Sequence, residues 1–315
     1  MGWNWKYDLQ IGTIVMNWVA IDWGTTNVRF WLMSKEGKIL SSKTSSMGMN
    51  IIQRDQYEAH IIATIEEWFQ PSDKKRIIAC GMIGAANGWV EARYQKTPCQ
   101  PVSIENIIEV PTKSPDLEVR IIPGIANYSP NYDVMRGEET QICGFLADNS
   151  DFEGVLCLPG THTKWVKIRS GKVEGFRTFM TGELFDVLGK ASILRHSVNT
   201  NTWDDNEFVS SVESSLANPE EISSRLFSIR AESLIGNLKP KMATSRLAGL
   251  LTGLELAGSK NYWGIKNIVI IGSGKLADNY LKALQLKGIN PRLVESDTCT
   301  VNGLIQTWQS ISYLD

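Results

Sequence analysis

Residues 18–33 read WVAIDWGTTNVRFWLM. Residues 18–22 are an apolar run that stops at Asp22-Trp23-Gly24, and residues 27–33 are a second β-rich run. Two strands therefore meet at a Gly-Thr turn. A Glu36-Gly37 turn and a third strand from Lys38 complete the unit. The same grammar returns in GVLCLPGTHTKWVKIRSGKVEGFRTFM, residues 154–180. Gly24-Thr25 and Gly160-Thr161 stand 136 residues apart, and Gly37-Lys38 matches Gly171-Lys172 with a two-residue change in length. Any two hairpins share part of such a pattern. The sharper reading is a duplicated α/β domain in which each copy lends one Gly-Thr turn to a shared cleft.

Outward from these blocks, RDQYEAHIIATIEEWF (54–69) is helical and ends at Pro71. RIIAC (76–80) is a short strand that opens into the Gly-rich GMIGAANGW. The middle, 97–133, is rich in turn residues but holds strand-like pieces at 107–110 and 119–124, and helix resumes at 137–148. Beyond 180 the chain is mostly helical. A helix over 181–194 is expected to be capped by Thr181 with Glu183 in its first turn. Further helices are expected over 204–216, 219–236, 241–258, 275–287 and 300–312, with strands at 267–272 and 292–295.

The 315 residues suggest about two domains. With 32 Lys+Arg against 34 Asp+Glu, the net charge of -2 excludes a basic nucleic-acid-coating protein and a highly charged disordered chain. No nucleic-acid partner is expected. No apolar run reaches the roughly 18 residues of a membrane span. Five scattered cysteines (80, 99, 143, 157 and 299) form no Cys-x-x-Cys pair and read as reduced thiols of a cytoplasmic protein. Three histidines show no zinc-site spacing. The first fifteen residues lack the parts of a signal peptide and read as a poorly ordered extension. Eleven tryptophans are the one oddity of composition.

Three Gly-containing turns follow predicted strands: Asp22-Trp23-Gly24-Thr25-Thr26-Asn27, Pro159-Gly160-Thr161-His162-Thr163-Lys164, and Gly272-Ser273-Gly274. Glycine lets a phosphate approach backbone N–H groups, and adjacent hydroxyls add donors. Asp22 at a strand end would hold the hydration shell of Mg²⁺, and Thr25 and Thr26 would face a transferring phosphoryl group, with Asn27 closing that turn. Gly160, Thr161 and Lys164 would hold nucleotide phosphates from the other side. His162 would donate to a phosphate as a neutral imidazole. Gly272, Ser273 and Gly274 would contact the nucleoside. Each turn alone is as well explained by an ordinary hairpin or strand–helix turn. Their order, with the duplication, makes a nucleotide-dependent phosphotransferase. The Walker-A and dinucleotide glycine patterns are absent.

IDWGTTN, PGTHTKW and IGSGKLA, in this order, resemble the actin/hexokinase/Hsp70 ATPase superfamily. GMIGAANGWVEARY (81–94), VMRGEETQICG (134–144), LPGTHTKWV (158–166), FRTFMTGELF (176–185) and SRLAGLLTGLEL (245–256) are similar, more narrowly, to the 2-dehydro-3-deoxygalactonokinase family. The matches run from about residue 17 to the C-terminus. The resemblance implies two duplicated ribonuclease-H-like domains of the actin-like ATPase type with an interdomain nucleotide cleft. Residues 16–135 would form the sugar-acid side and 136–315 the nucleotide side, the last helix packing back on the first domain. It implies ATP and Mg²⁺, and in-line transfer to the 6-hydroxyl of 2-dehydro-3-deoxy-D-galactonate. In one departure, Arg93 stands in GWVEARY where many relatives resemble Gly-Trp-x-x-Ala-Pro-Tyr.

In the superfamily the carboxylate that activates the acceptor lies at the end of the first domain. Here that place holds Arg136-Gly137-Glu138-Glu139. A carboxylate beside Arg136 is expected to stay ionised, as a base must. Glu138 is favoured and Glu139 stands close behind; one of them could instead bind Mg²⁺. Acids in a first helical turn for dipole reasons would look the same. The anionic substrate needs a cation, for which Arg93, Arg136 and Arg177 are candidates. Asn87 and Trp89 would meet sugar hydroxyls and ring. His60 and His196 read as structural. Another sugar-acid kinase, or an ATP-binding sugar sensor on the same fold, are the alternatives, and a homodimer is left open.

Overall fold

The computed structural model describes residues 17–199, 201–265 and 267–312. The expected extension at 1–15 lies outside them. Strand β1 (Trp18–Trp23) sends Val19, Ile21 and Trp23 into one core cluster and Trp18 and Ala20 into another. A strand covered on both faces loses the polar alternation of a half-exposed one, which is why WVAIDW is almost wholly apolar. Each large apolar side chain buried this way contributes about 1.5–3 kcal/mol.

β1 pairs antiparallel with β2 (Val28–Met33), which pairs with β3 (Ile39–Ser45). After α1 (Tyr57–Ile65), β4 (Lys75–Gly81) returns parallel to β1. The chain continues through β5 (Gln95–Lys96), β6 (Ile108–Glu109), β7 (Leu117–Ile121), β8 (Ile125–Asn127) and β9 (Asp133–Met135). The first sheet has the order β3-β2-β1-β4-β7-β6. β5, β8 and β9 make a small separate sheet that the turn-rich composition of 97–133 concealed.

Helix α2 (Glu138–Ala147) leads to β10 (Gly154–Leu158), β11 (Thr163–Arg169) and β12 (Lys172–Phe179). Helices α3 (Thr181–Ala191), α4 (Asp205–Ala217), α5 (Ile222–Ile235), α6 (Pro240–Gly258) and α7 (Lys260–Trp263) follow, then β13 (Ile268–Ile271), α8 (Gly274–Gln285), β14 (Arg292–Val294) and α9 (Ser296–Ser312). The second sheet has the order β12-β11-β10-β13-β14. It repeats the first: an antiparallel three-strand meander whose first strand is flanked on its other side by two parallel strands. The duplication read from the two Gly-Thr turns is thus a duplication of topology.

α9 lies on the first sheet, where Trp308 stacks on Trp18 with ring centroids 4.8 Å apart and planes 8° apart. It crosses α2 at glycine. A Cβ on Gly144 would sit 1.9 Å from the Cys299 carbonyl oxygen, and one on Gly303 2.0 Å from that of Thr140. α9 begins four residues before its expected start. Thr181 is the first residue of α3 and no cap: its hydroxyl is spent on the buried Glu255, and Met180 occupies the cap position with no side-chain bond.

Candidate active site

The C-terminal ends of β1 and β10 face each other across a cleft of about 390 Å³. Strand ends of open α/β sheets are where ligands bind, because loops and helix N-termini converge there. The cleft brings together Asp22, Gly24 and Thr25 of the first turn, Gly160, Thr161, His162 and Lys164 of the second, and Arg136 and Glu138 between them. Thr26 and Asn27 are exposed and do not line it. A larger cavity of about 960 Å³ lies at the opposite, N-terminal ends of β10 and β13, among Phe152, Trp263 and Lys287. None of the expected site residues lines it.

Glu138 and Glu139 open α2 behind Gly137, whose φ of 102° belongs to the region that favours glycine. Both carboxylates fold back on the backbone. Glu138 Oε2 accepts from Arg136 N at 3.0 Å and Glu139 Oε2 from Gly137 N at 2.7 Å. There they part. Glu138 keeps a side chain 22% exposed in the cleft, and its Oε1 lies 2.8 Å from Lys164 Nζ. Glu139 is fully buried and also accepts from Thr140 Oγ1 at 3.0 Å. Burial, with the charge of Glu138 beside it, pushes the Glu139 carboxyl up to about 8, against Arg136 and backbone N–H groups that pull it down. The expectation that a carboxylate beside Arg136 stays ionised therefore fails for Glu139, because desolvation outweighs the arginine. Glu139 is a core group whose burial favours its protonated form.

Lys164 is 5% exposed, with its Nζ shared between Glu138 and the His162 carbonyl at 3.0 Å. Asp22 Oδ2 pairs with Arg29 at 2.5 Å, and Arg29 also bonds Asp297 at the start of α9. Burial alone would lower the Arg29 guanidinium; the two carboxylates outweigh it and hold the group charged. The sequence reading passed over Arg29, although the register of a symmetric hairpin puts it directly opposite Asp22. The Asp22 carboxylate is 18% exposed at the cleft wall. Among the described residues no group of three or more metal-ligating side chains converges. One accessible carboxylate fits a Mg²⁺ ion that keeps its waters and is held mainly through phosphate oxygens.

The second turn is braced by α3. Glu183 N donates to Thr161 O at 2.9 Å, His162 Nε2 lies 2.5 Å from Glu183 Oε2, and a Cβ on Gly182 would strike the Gly160 carbonyl at 2.4 Å. A Cβ on Gly160 itself would meet nothing within 4 Å, so its backbone stands open to an incoming group. Gly272, Ser273 and Gly274 lie outside the cleft lining, beside Pro159, at the start of α8.

Of the three arginines considered for an anion, only Arg136 lines the cleft. Its Nη2 donates to Ala92 O at 2.7 Å, the guanidinium lies 4.4 Å from the Tyr94 ring centre, and its Nε and Nη1 have no hydrogen-bond partner. Arg93 is exposed and faces a separate cavity with Glu91 and Glu105. Arg177 is exposed near Tyr262, because its strand face looks toward α7. Trp89 stacks on Tyr57 with centroids 6.1 Å apart and packs on the first core, and Asn87 is exposed in the loop before it. His60 packs against Trp23 and Phe30. His196 is exposed in a short helical turn at 193–196.

Duplicated sheets enclosing a cleft at their strand ends are the architecture of the actin-like ATPase class. The fold is shared with component A of the (R)-2-hydroxyglutaryl-CoA dehydratase of Acidaminococcus fermentans (TM-score 0.52, 12% identity, 94% of this chain and 99% of that one). The chain belongs to the 2-keto-3-deoxy-galactonokinase family, whose model matches residues 22–307. It is 37% identical over 298 residues to a "probable 2-dehydro-3-deoxygalactonokinase" of Rhizobium meliloti (strain 1021), covering 91% of this chain and 95% of the relative. It is 32% identical over 291 residues to the 2-dehydro-3-deoxygalactonokinase of Escherichia coli (strain K12), covering 91% and 96%. A crystal structure from Sinorhizobium meliloti, described as that of "a putative 2-dehydro-3-deoxygalactonokinase protein", superposes with a TM-score of 0.87 at 35% identity over 93% of this chain and 99% of that one. Among the described residues no helix is long and apolar enough to cross a membrane.

Proposed function

We propose that this cleft transfers the γ-phosphoryl group of ATP to the 6-hydroxyl of 2-dehydro-3-deoxy-D-galactonate, a step of galactonate catabolism. One observation carries the reading: Glu138 and Lys164 meet at 2.8 Å between the two Gly-Thr turns. An acceptor hydroxyl needs a base within reach, and a phosphoryl group in transit needs a cation beside it. Glu138 takes the proton of the 6-hydroxyl as its oxygen attacks. Lys164, with the open backbone at Gly160 and the Thr161 hydroxyl, holds the phosphate chain, and Thr25 faces it from the first turn. Arg136, the candidate arginine that lines the cleft, anchors the substrate carboxylate. Asp22, oriented by Arg29, would hold Mg²⁺ through its water shell; the ion supplies neutralisation of phosphate charge. Positioning and electrostatics do most of the work in such transfers, and closing the cleft keeps water from the phosphate.

Residues 16–135 then form the sugar-acid unit and residues 136–315 the nucleotide unit of a cytoplasmic enzyme. A homodimer is its assembly option, read by light scattering. The test of activity is a coupled ADP-release assay over a panel of 2-oxo-3-deoxy sugar acids, including the gluconate-derived epimer, and simple sugars. The galactonate-derived acid is expected to give the highest kcat/KM. Background rates across the whole panel would overturn the reading.

A further inference from the structure

Behind the second turn lies a buried carboxylate that the mechanism does not use. Glu255 of α6 is 2% exposed. Its Oε1 accepts from Trp165 Nε1 of β11 at 2.8 Å, and its Oε2 accepts from Tyr280 OH of α8 at 2.5 Å and from the Thr181 hydroxyl that begins α3. With its proton committed to Glu255, Tyr280 can only accept at its other contact, so the Thr163 hydroxyl donates to it, over 2.8 Å. A buried carboxylate is costly unless its lone pairs are filled, and a core that needed only packing would place leucine here.

The three donors, and Thr163 behind Tyr280, have one thing in common. Thr163 and Trp165 belong to the strand that leaves the Pro159–Lys164 turn. Thr181 starts the helix whose Gly182 and Glu183 press on Gly160 and Thr161. Tyr280 sits on the helix that follows Gly272-Ser273-Gly274. One carboxylate thus ties together β11, α3 and α8, the three elements around the Pro159–Lys164 turn. We infer that Glu255 is a positioning residue for the nucleotide, locking the second turn, the start of α3 and the middle of α8 into one rigid cradle. This rests on the reading of the second turn as a nucleotide site. Its reach is one-sided, since none of its partners belongs to the first sheet or to the loop at 81–94 that the sugar acid would meet.

The test compares the full chain with Glu255→Gln, which keeps the shape and changes the donor balance, and with Tyr280→Phe, which removes a single hydroxyl. Melting temperature is followed while ADP is titrated, and KM is measured separately for ATP and for the sugar acid. Wild type is expected to be stabilised by ADP. Glu255→Gln should need about tenfold more ADP for the same shift and show a similar rise in KM for ATP, with KM for the sugar acid unchanged, because small displacements of a binding cradle are expensive. Tyr280→Phe should move the same way by about threefold, and it decides the matter if Glu255→Gln does not fold. A folded variant with wild-type ADP response, or an equal rise in both KM values, overturns the inference. A wild type without ADP response, in the presence of Mg²⁺, overturns the nucleotide reading itself, and the inference falls with it.

Discussion

The first hairpin places Asp22 opposite Arg29, and the second places Leu158 opposite Lys164. The two hairpins share strand sense and sheet position, yet they handle their cation differently. In the first, acid and base neutralise each other within the hairpin at 2.5 Å, and among the described residues Asp297 is the partner of Arg29 from outside it. In the second, leucine stands where the acid would be. A buried ammonium must still find a counter-charge, and Lys164 finds it in Glu138, on the helix that precedes the second sheet. Exchanging one acid for leucine replaces an ion pair closed within the hairpin by a bridge from the second sheet to the start of α2. That bridge puts a candidate base beside a candidate phosphate ligand.

Glu138→Gln strikes the bridge directly. Turnover should fall by about 10²- to 10⁴-fold, with an unchanged far-ultraviolet circular dichroism spectrum; steady-state kinetics at wild-type rate would break the comparison. Asp22→Ala removes the acid of the self-contained pair. Turnover should fall by about 10²- to 10³-fold, and Arg29, which retains Asp297, should keep the hairpin folded in a thermal melt. Gly160→Ala tests the open face of the second turn. The new methyl meets nothing in the protein, so stability should change by less than about 0.5 kcal/mol, while KM for ATP rises about tenfold if a phosphate lies against that backbone.

The smallest effect is on stability alone. Glu139 titrates near 8 in the fold against an ordinary value of 4.5, so the folded chain holds a proton that the unfolded chain releases. Its stabilisation is complete below about pH 4.5 and is lost as pH rises through about 8. Glu139→Gln should flatten the fall in melting temperature between about pH 4.5 and 8 that this group causes. An identical slope in wild type and variant would return Glu139 to the list of ionised candidates.

Much of this was legible along the chain. Strand–turn–strand units announce themselves through short-range periodicity, and the spacing of the two Gly-Thr turns carries the duplicated topology. Helix ends were less legible. Thr181 has the chemistry of a cap, but a buried carboxylate 74 residues away outbids the backbone for its hydroxyl. The small sheet of β5, β8 and β9 was hidden because strands of two or three residues are too short to show a period. Arg93 and Arg177 looked like Arg136, since charge is visible in sequence and direction is not. The tryptophan excess is partly resolved: Trp18, Trp23 and Trp165 are fully buried, and Trp308 closes over Trp18.

By itself the amino-acid order determined the strands, their Gly-Thr turns, the repeat and the family, because these depend on residues near one another in the chain. Only the tertiary structure decided which of two adjacent glutamates faces the cleft, which arginine does, and that Lys164 and Glu255 each bind distant elements together. Those outcomes depend on burial and on counter-charges contributed from elsewhere in the chain. Glu138 and Glu139 differ by one position on a helix and by about 100° around its axis, enough to leave one in the cleft and the other without water.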